Sequence, residues 1–114
     1  MDKTVETNLV DTCRRLSEKL PLVMQVEGDV LTLVSPKTGT HRIDLLDPPD
    51  THVEALMNEV ERLCHARGWV VRLVLGLPQV VGIYTRRETY AVEGGTRLLV
   101  PLLLCFDTAL EAEG

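Results

Sequence analysis

The stretch that most limits what this chain can become is DTHVEALMNEVERLCHARGWVVRLVL, from Asp50 to Leu75. It reads as an amphipathic helix, a glycine stop and a strand. Val53, Leu56, Met57, Val60, Leu63 and Cys64 recur at helical spacing on one face. Glu54, Asn58, Glu59, Glu61 and Arg62 take the other face. Thr51 followed by Glu54 fits a capping box, with the Thr hydroxyl accepting from a backbone N–H and the carboxylate reaching back. Pro48 and Pro49 in front disfavour helical geometry in the residues before them. Arg67 and Gly68 supply a cation near the negative helix end and a residue that tolerates left-handed geometry. Burying the apolar face is worth roughly 10 kcal/mol before conformational entropy is subtracted. The helix therefore needs a partner sheet, and an acidic group at Val60 or Met57 is expected to be severely destabilising. The strand follows at once, with Trp69, Val71, Leu73 and Leu75 alternating against Val70, Arg72 and Val74.

The remaining segments resolve by the same signals. Val5, Leu9, Cys13, Leu16 and Leu20 form a stripe that predicts a helix over residues 3–20, with Asp2 as a cap and Pro21 as a stop. Strands are expected over 22–26 and 30–34, joined by a tight turn at Glu27-Gly28-Asp29, and a weaker one over 40–46. Beyond the central unit, strands are expected over 79–85 and 89–93, around the polar turn Arg86-Arg87-Glu88. Residues 98–100 suit strand or helix. From Pro101 onward Leu102, Leu103, Phe106, Ala109 and Leu110 predict a helix, with the end from Glu111 frayed. The order α-β-β-β-α-β-β-β-α, with hairpin-linked strands, implies an α+β fold of antiparallel sheet and packed helices. The two halves repeat one plan without shared sequence. A length of 114 residues suits a single domain spanning 1–114.

Composition narrows function by exclusion. Only four aromatic residues occur (Trp69, Tyr84, Tyr90, Phe106), which argues against a base-stacking or sugar-binding platform. No apolar run approaches the ~20 residues of a membrane span, and the N-terminal residues lack a signal-peptide hydrophobic region, so a cytoplasmic location is expected. Cys13, Cys64 and Cys105 are an odd, widely spaced set in expected helices, which reads as buried apolar residues rather than disulfides.

No catalytic constellation emerges. His52 and His65 lie nearly four turns apart on one helix, about 20 Å, so they cannot share a metal. Cys64 and His65 point about 100° apart, and His41 stands at a strand end. Two exposed histidines, and no metal or other cofactor, are expected. Ser35 is placed in a loop that meets His41 only by chance, and no G-x-S-x-G occurs. Glu59 with Glu61, and Asp44 with Asp47, read as solvated carboxylates. Gly94-Gly95-Thr96 lacks the lysine and spacing of a phosphate loop and reads as a turn.

Charge is the one pointer to a partner. The chain carries a net −5, yet residues 62–97 carry +4, with Arg62, Arg67, Arg72, Arg86, Arg87 and Arg97 as all the basic groups of that segment. Arg72, Arg86, Arg87 and Arg97 are the candidate partner-binding residues. Arginine is enriched at protein interfaces and also contacts phosphates. A non-enzymatic protein that binds a protein partner or itself is the first expectation. A nucleic-acid-binding module using an Arg rim is the second.

Two resemblances bear on this reading. VERLCHARGW (Val60 to Trp69) and LLLCFDTALEA (Leu102 to Ala112) resemble the phage ABA sandwich domain family. That pattern has a helix ending in Gly, three antiparallel strands, and a helix with an apolar–Cys–x–x–Ala–Leu flavour. Phe106-Asp107 and the longer approach over 98–101 depart from it. The resemblance implies a small phage-type protein and carries no functional residues. More coarsely, the element order and acidity are similar to type III secretion chaperones, which are dimers. Here there is one strand more.

Overall fold

A computed structural model describes residues 2–36, 39–74, 79–94 and 99–113, and the side chains of these except 2–8, 93 and 94. The chain is α+β, and its described residues form three helices and two three-stranded antiparallel sheets in the order α-β-β-β-α-β-β-β-α. It divides into two compact units, Met1–Leu56 and Met57–Gly114.

The first unit opens with helix α1, Asp2–Lys19, which buries Leu9, Val10, Thr12, Cys13 and Leu16. Asp2, expected as its cap, and Val5 of its stripe have side chains outside those described. Pro21 ends the helix through a turn in which the N–H groups of Val23 and Met24 both donate to the Leu20 carbonyl. This turn consumes the first two residues expected to be strand. Strand β1 therefore runs Met24–Glu27, and Leu22 is left exposed. Strand β2 is Val30–Ser35 and β3 is Gly39–Asp44, with β2 central. Glu27 pairs with Val30 across Gly28, which has φ +63°, and Asp29, which has no positive φ. That is the pattern of a II′ hairpin, whose first central residue is best filled by Gly. Rows Met24–Leu33–His41 and Val26–Leu31–Ile43 share the inner face. Rows Gln25–Thr32–Arg42 and Glu27–Val30–Asp44 share the open one. α1 packs on β1.

Helix α2 runs Asp50–Ala66, from the first unit into the second. It begins one residue before the expected cap. The N–H groups of His52 and Val53 close its first turn on the Pro49 carbonyl, so Thr51 sits inside the helix and no capping box forms. Leu56, Val60 and Cys64 are fully buried, as their spacing requires. Glu59, expected on the polar face, is 3% exposed. Arg62, one turn on, meets its carboxylate from Nε at 3.1 Å to each oxygen. This supplies the opposite charge that a buried carboxylate demands. The helix ends in a Schellman motif. The Gly68 N–H donates to the His65 carbonyl and the Trp69 N–H to that of Cys64, with Gly68 at φ +77°.

The second unit continues with β4 (Val70–Val74), β5 (Gln79–Tyr84) and β6 (Thr89–Gly94), with β5 central. Helix α3, Leu99–Glu113, starts two residues before the expected Pro101, so Leu99 and Val100 are helical, and Leu98 lies outside the described residues. α3 packs on β5 and β6. Rows Val71–Ile83–Tyr90 and Leu73–Val81–Val92 form the inner face, with Val81 and Ile83 fully buried. Trp69 and Phe106 meet edge to face, with ring centroids 6.4 Å apart, an arrangement aromatic pairs prefer. The end of α3, expected to fray, is tied down: Tyr90 Oη donates to Glu113 Oε2 at 2.8 Å, and Thr85 Oγ1 lies 3.1 Å from the same oxygen.

Candidate functional site: the open side of the second sheet

The two sheets share a plan and differ in what their open faces carry. In the first, the positions turned away from the core hold Gln25, Glu27, Thr32, Arg42 and Asp44, with Val30 between them and the pair Val34–Thr40 beyond, where Val34 is 43% exposed on the central strand. That is an ordinary half-solvated antiparallel sheet. In the second, the corresponding rows are Val70–Tyr84–Thr89, Arg72–Gly82–Ala91 and Val74–Val80–Glu93. Arg72 is the one charged residue in those three β4–β5 pairs.

β4 is the focus of this contrast. It pairs with β5 alone, and four of its five residues are valine or leucine. Val70 is 54% exposed and Val74 52%. Leu73 points to the inner face, where the sequence pattern places it in the core, yet it is 42% exposed. The reason is strand order: α3 packs on β5 and β6, and β4 lies at the opposite edge of the sheet from β6. Tyr84 leans over Gly82, where an added Cβ would lie in ordinary contact, 3.7 Å from Tyr84 Cε2. The Arg72 guanidinium sits over the same ring, 5.6 Å from its centroid, within reach of a cation–π attraction.

The arginines group by topology. Thr85 Oγ1 accepts from the N–H groups of Arg87 and Glu88, at 3.2 and 3.0 Å. Such a hydroxyl-closed turn presents Arg86 and Arg87 exposed and side by side. Arg67 stacks on Trp69, 5.4 Å from the ring centroid, just before β4. Because Val70 pairs with Tyr84, Arg67 and the turn lie at the same end of the sheet. Arg72 stands opposite Gly82, four residues before Arg86. Four residues of extended strand span roughly 13 Å. Arg67, Arg72, Arg86 and Arg87 are all exposed, and among the described residues none has a carboxylate partner. Arg97 lies outside the described residues. The sequence signal for the arginines was their clustering. The exposed apolar edge was legible only as an alternating strand with no sign of its place in the sheet.

The other candidate groups are placed as follows. All three cysteines are free and fully buried, and burial pushes Cys13 and Cys64 up to about 12 and Cys105 to about 11. Such thiols stay protonated near neutral pH and make poor nucleophiles. Cys105 instead donates to the Tyr90 carbonyl at 3.0 Å. His41 and His52, expected to be a strand-end and an exposed residue, are both half-buried, with ring centroids 6.1 Å apart, and His52 Nδ1 is buried without a hydrogen bond. They meet across the short connection over 45–49 that joins β3 to α2. Ser35 is not in a loop but ends β2, on the same inner face as His41. Among the described residues no three His, Cys, Asp or Glu side chains converge as metal ligands would. Of the paired carboxylates read as solvated, Glu59 is buried against Arg62 and Glu61 is exposed. Among the described residues no helix is long and apolar enough to cross a membrane.

Comparison with protein-family models, with curated proteins and with solved structures finds no match.

Proposed function

We propose that this chain is a non-catalytic, phage-type binding protein that engages a protein partner on the β4 side of its second sheet. The carrying observation is the exposure of Val70, Leu73 and Val74 along one edge strand, where the edge strands of the sister sheet turn Gln25, Glu27, Thr40, Arg42 and Asp44 to the open side. Natural sheets protect their edges with charges, prolines, bulges or covering elements. An apolar strand bare on both faces gains most when another surface covers it. Arg72, Arg86 and Arg87 supply the polar rim around such a contact. The four exposed arginines, which have no carboxylate partner among the described residues, also favour a second reading, contact with nucleic-acid phosphates. The net charge of −5 and the valine-rich character of β4 favour protein.

The test is site-specific photo-cross-linking in cells that carry the protein naturally, with the reactive side chain at Val74 or, as control, at Arg42 on the open face of the first sheet. Nuclease-resistant protein adducts at position 74 and few at 42 are expected. Equal labelling at both positions refutes the assignment. Adducts that vanish with nuclease transfer it to nucleic acid.

A further inference from the structure

Building on that interface reading, we infer that β4 is completed by strand addition, and that the occupant is an extended, acidic segment of another protein rather than a second copy of this chain. Three observations carry this. First, β4 is exposed on both faces: Val70, Arg72 and Val74 on the open side, Leu73 on the helix side. A partner lying flat on the open face leaves Leu73 in water. A strand laid beside β4 covers both faces, because its own side chains alternate across the sheet. Its backbone also satisfies the N–H and C=O groups that an edge strand leaves unpaired.

Second, the charge of the edge selects the partner. Arg72 is the middle residue of the five, with valines two positions to either side on the same face. A strand that places a carboxylate opposite Arg72, flanked by apolar residues, matches this row. Further carboxylates beyond it meet Arg67, Arg86 and Arg87 at the end where β4 begins.

Third, the same charge disfavours self-pairing. A two-fold antiparallel pairing of β4 with itself over its full length is centred on Arg72 and sets Arg72 against Arg72. Like charges directly opposite are destabilising.

The experiment selects a random short-peptide display library against the whole protein, in parallel with an Arg72→Glu variant. The position is exposed, so folding is not at stake, and circular dichroism verifies this. Peptides with one acidic residue set among apolar ones, and further acidic residues toward one end, are expected for the wild type. On Arg72→Glu they are expected to weaken by about tenfold, with enrichment moving to basic peptides. On binding, the amides of Val70–Val74 are expected to gain protection from hydrogen exchange while those of Thr89–Gly94 do not. No enriched peptide, enrichment without an acidic residue among apolar ones, or a pattern indifferent to Arg72→Glu overturns the inference. So does a stable dimer that itself protects the β4 amides. Protein cross-links at Val74 that survive any of these failures leave an interface there and remove only strand addition as its mode.

Discussion

Cys13 offers a measurable link between burial and stability. It lies on the inner side of α1 with no exposed surface, and burial raises its thiol from 9.0 to about 12. The folded state therefore keeps a proton that the unfolded state releases. The stabilisation is complete below pH 9 and is lost as pH rises from 9 toward 12, at about 1.4 kcal/mol per pH unit. Between pH 8 and pH 10.5 the loss from this one thiol comes to about 2 kcal/mol. Replacing Cys13 with Ala removes the ionisable group and leaves a small void, costing about 1 kcal/mol at pH 7. The two stability curves should then cross: the variant is weaker at pH 7 and stronger at pH 10.5. Urea denaturation under reducing conditions, followed by far-ultraviolet circular dichroism, measures this directly, since Trp69 fluorescence reports only the second unit. Cys64 and Cys105 titrate in both proteins and cancel in the difference. Parallel curves would show that the Cys13 thiol reaches water in the folded state, and the burial argument would fail.

Three further outcomes follow from the geometry. Gly68→Ala forces a side chain into φ +77° although nothing crowds it within 4 Å. It should cost about 1 kcal/mol by urea denaturation. Gly82→Ala, with an ordinary φ and the Tyr84 ring at contact distance, should be neutral or slightly stabilising. Arg62→Met strands the buried Glu59 carboxylate. It should lower the melting temperature more than Glu59→Met/Arg62→Met does, because the double variant buries no charge. A single variant as stable as the double would mean that water reaches Glu59.

How much of this protein was legible in its residues depends on the range of the interaction. The helices follow from their hydrophobic periodicity, the α2 stop from Gly68, and the β1–β2 hairpin from Gly28, because each signal acts within a few residues. Cys13, Leu16 and Val60 are in the core because no other face of their helices is apolar enough to bury. Boundaries slipped where a turn competed with an element, as when the Leu20 carbonyl captured the start of the expected first strand. The site itself was half legible. Clustered arginines are visible in the chain, and the stacking of Arg72 on Tyr84 and of Arg67 on Trp69 is not. Leu73 and Val81 carry the same inward signal, yet one is at an edge and the other in the middle of the sheet. The separate facts that Glu59 is buried, that His41 meets His52, and that Glu113 anchors Thr85 and Tyr90 likewise join residues or surfaces distant in sequence. Local chemistry decided what each segment is. Strand order and helix placement decided which apolar side chains stay in water, because covering a surface requires residues from elsewhere in the chain, and no segment encodes its own neighbours.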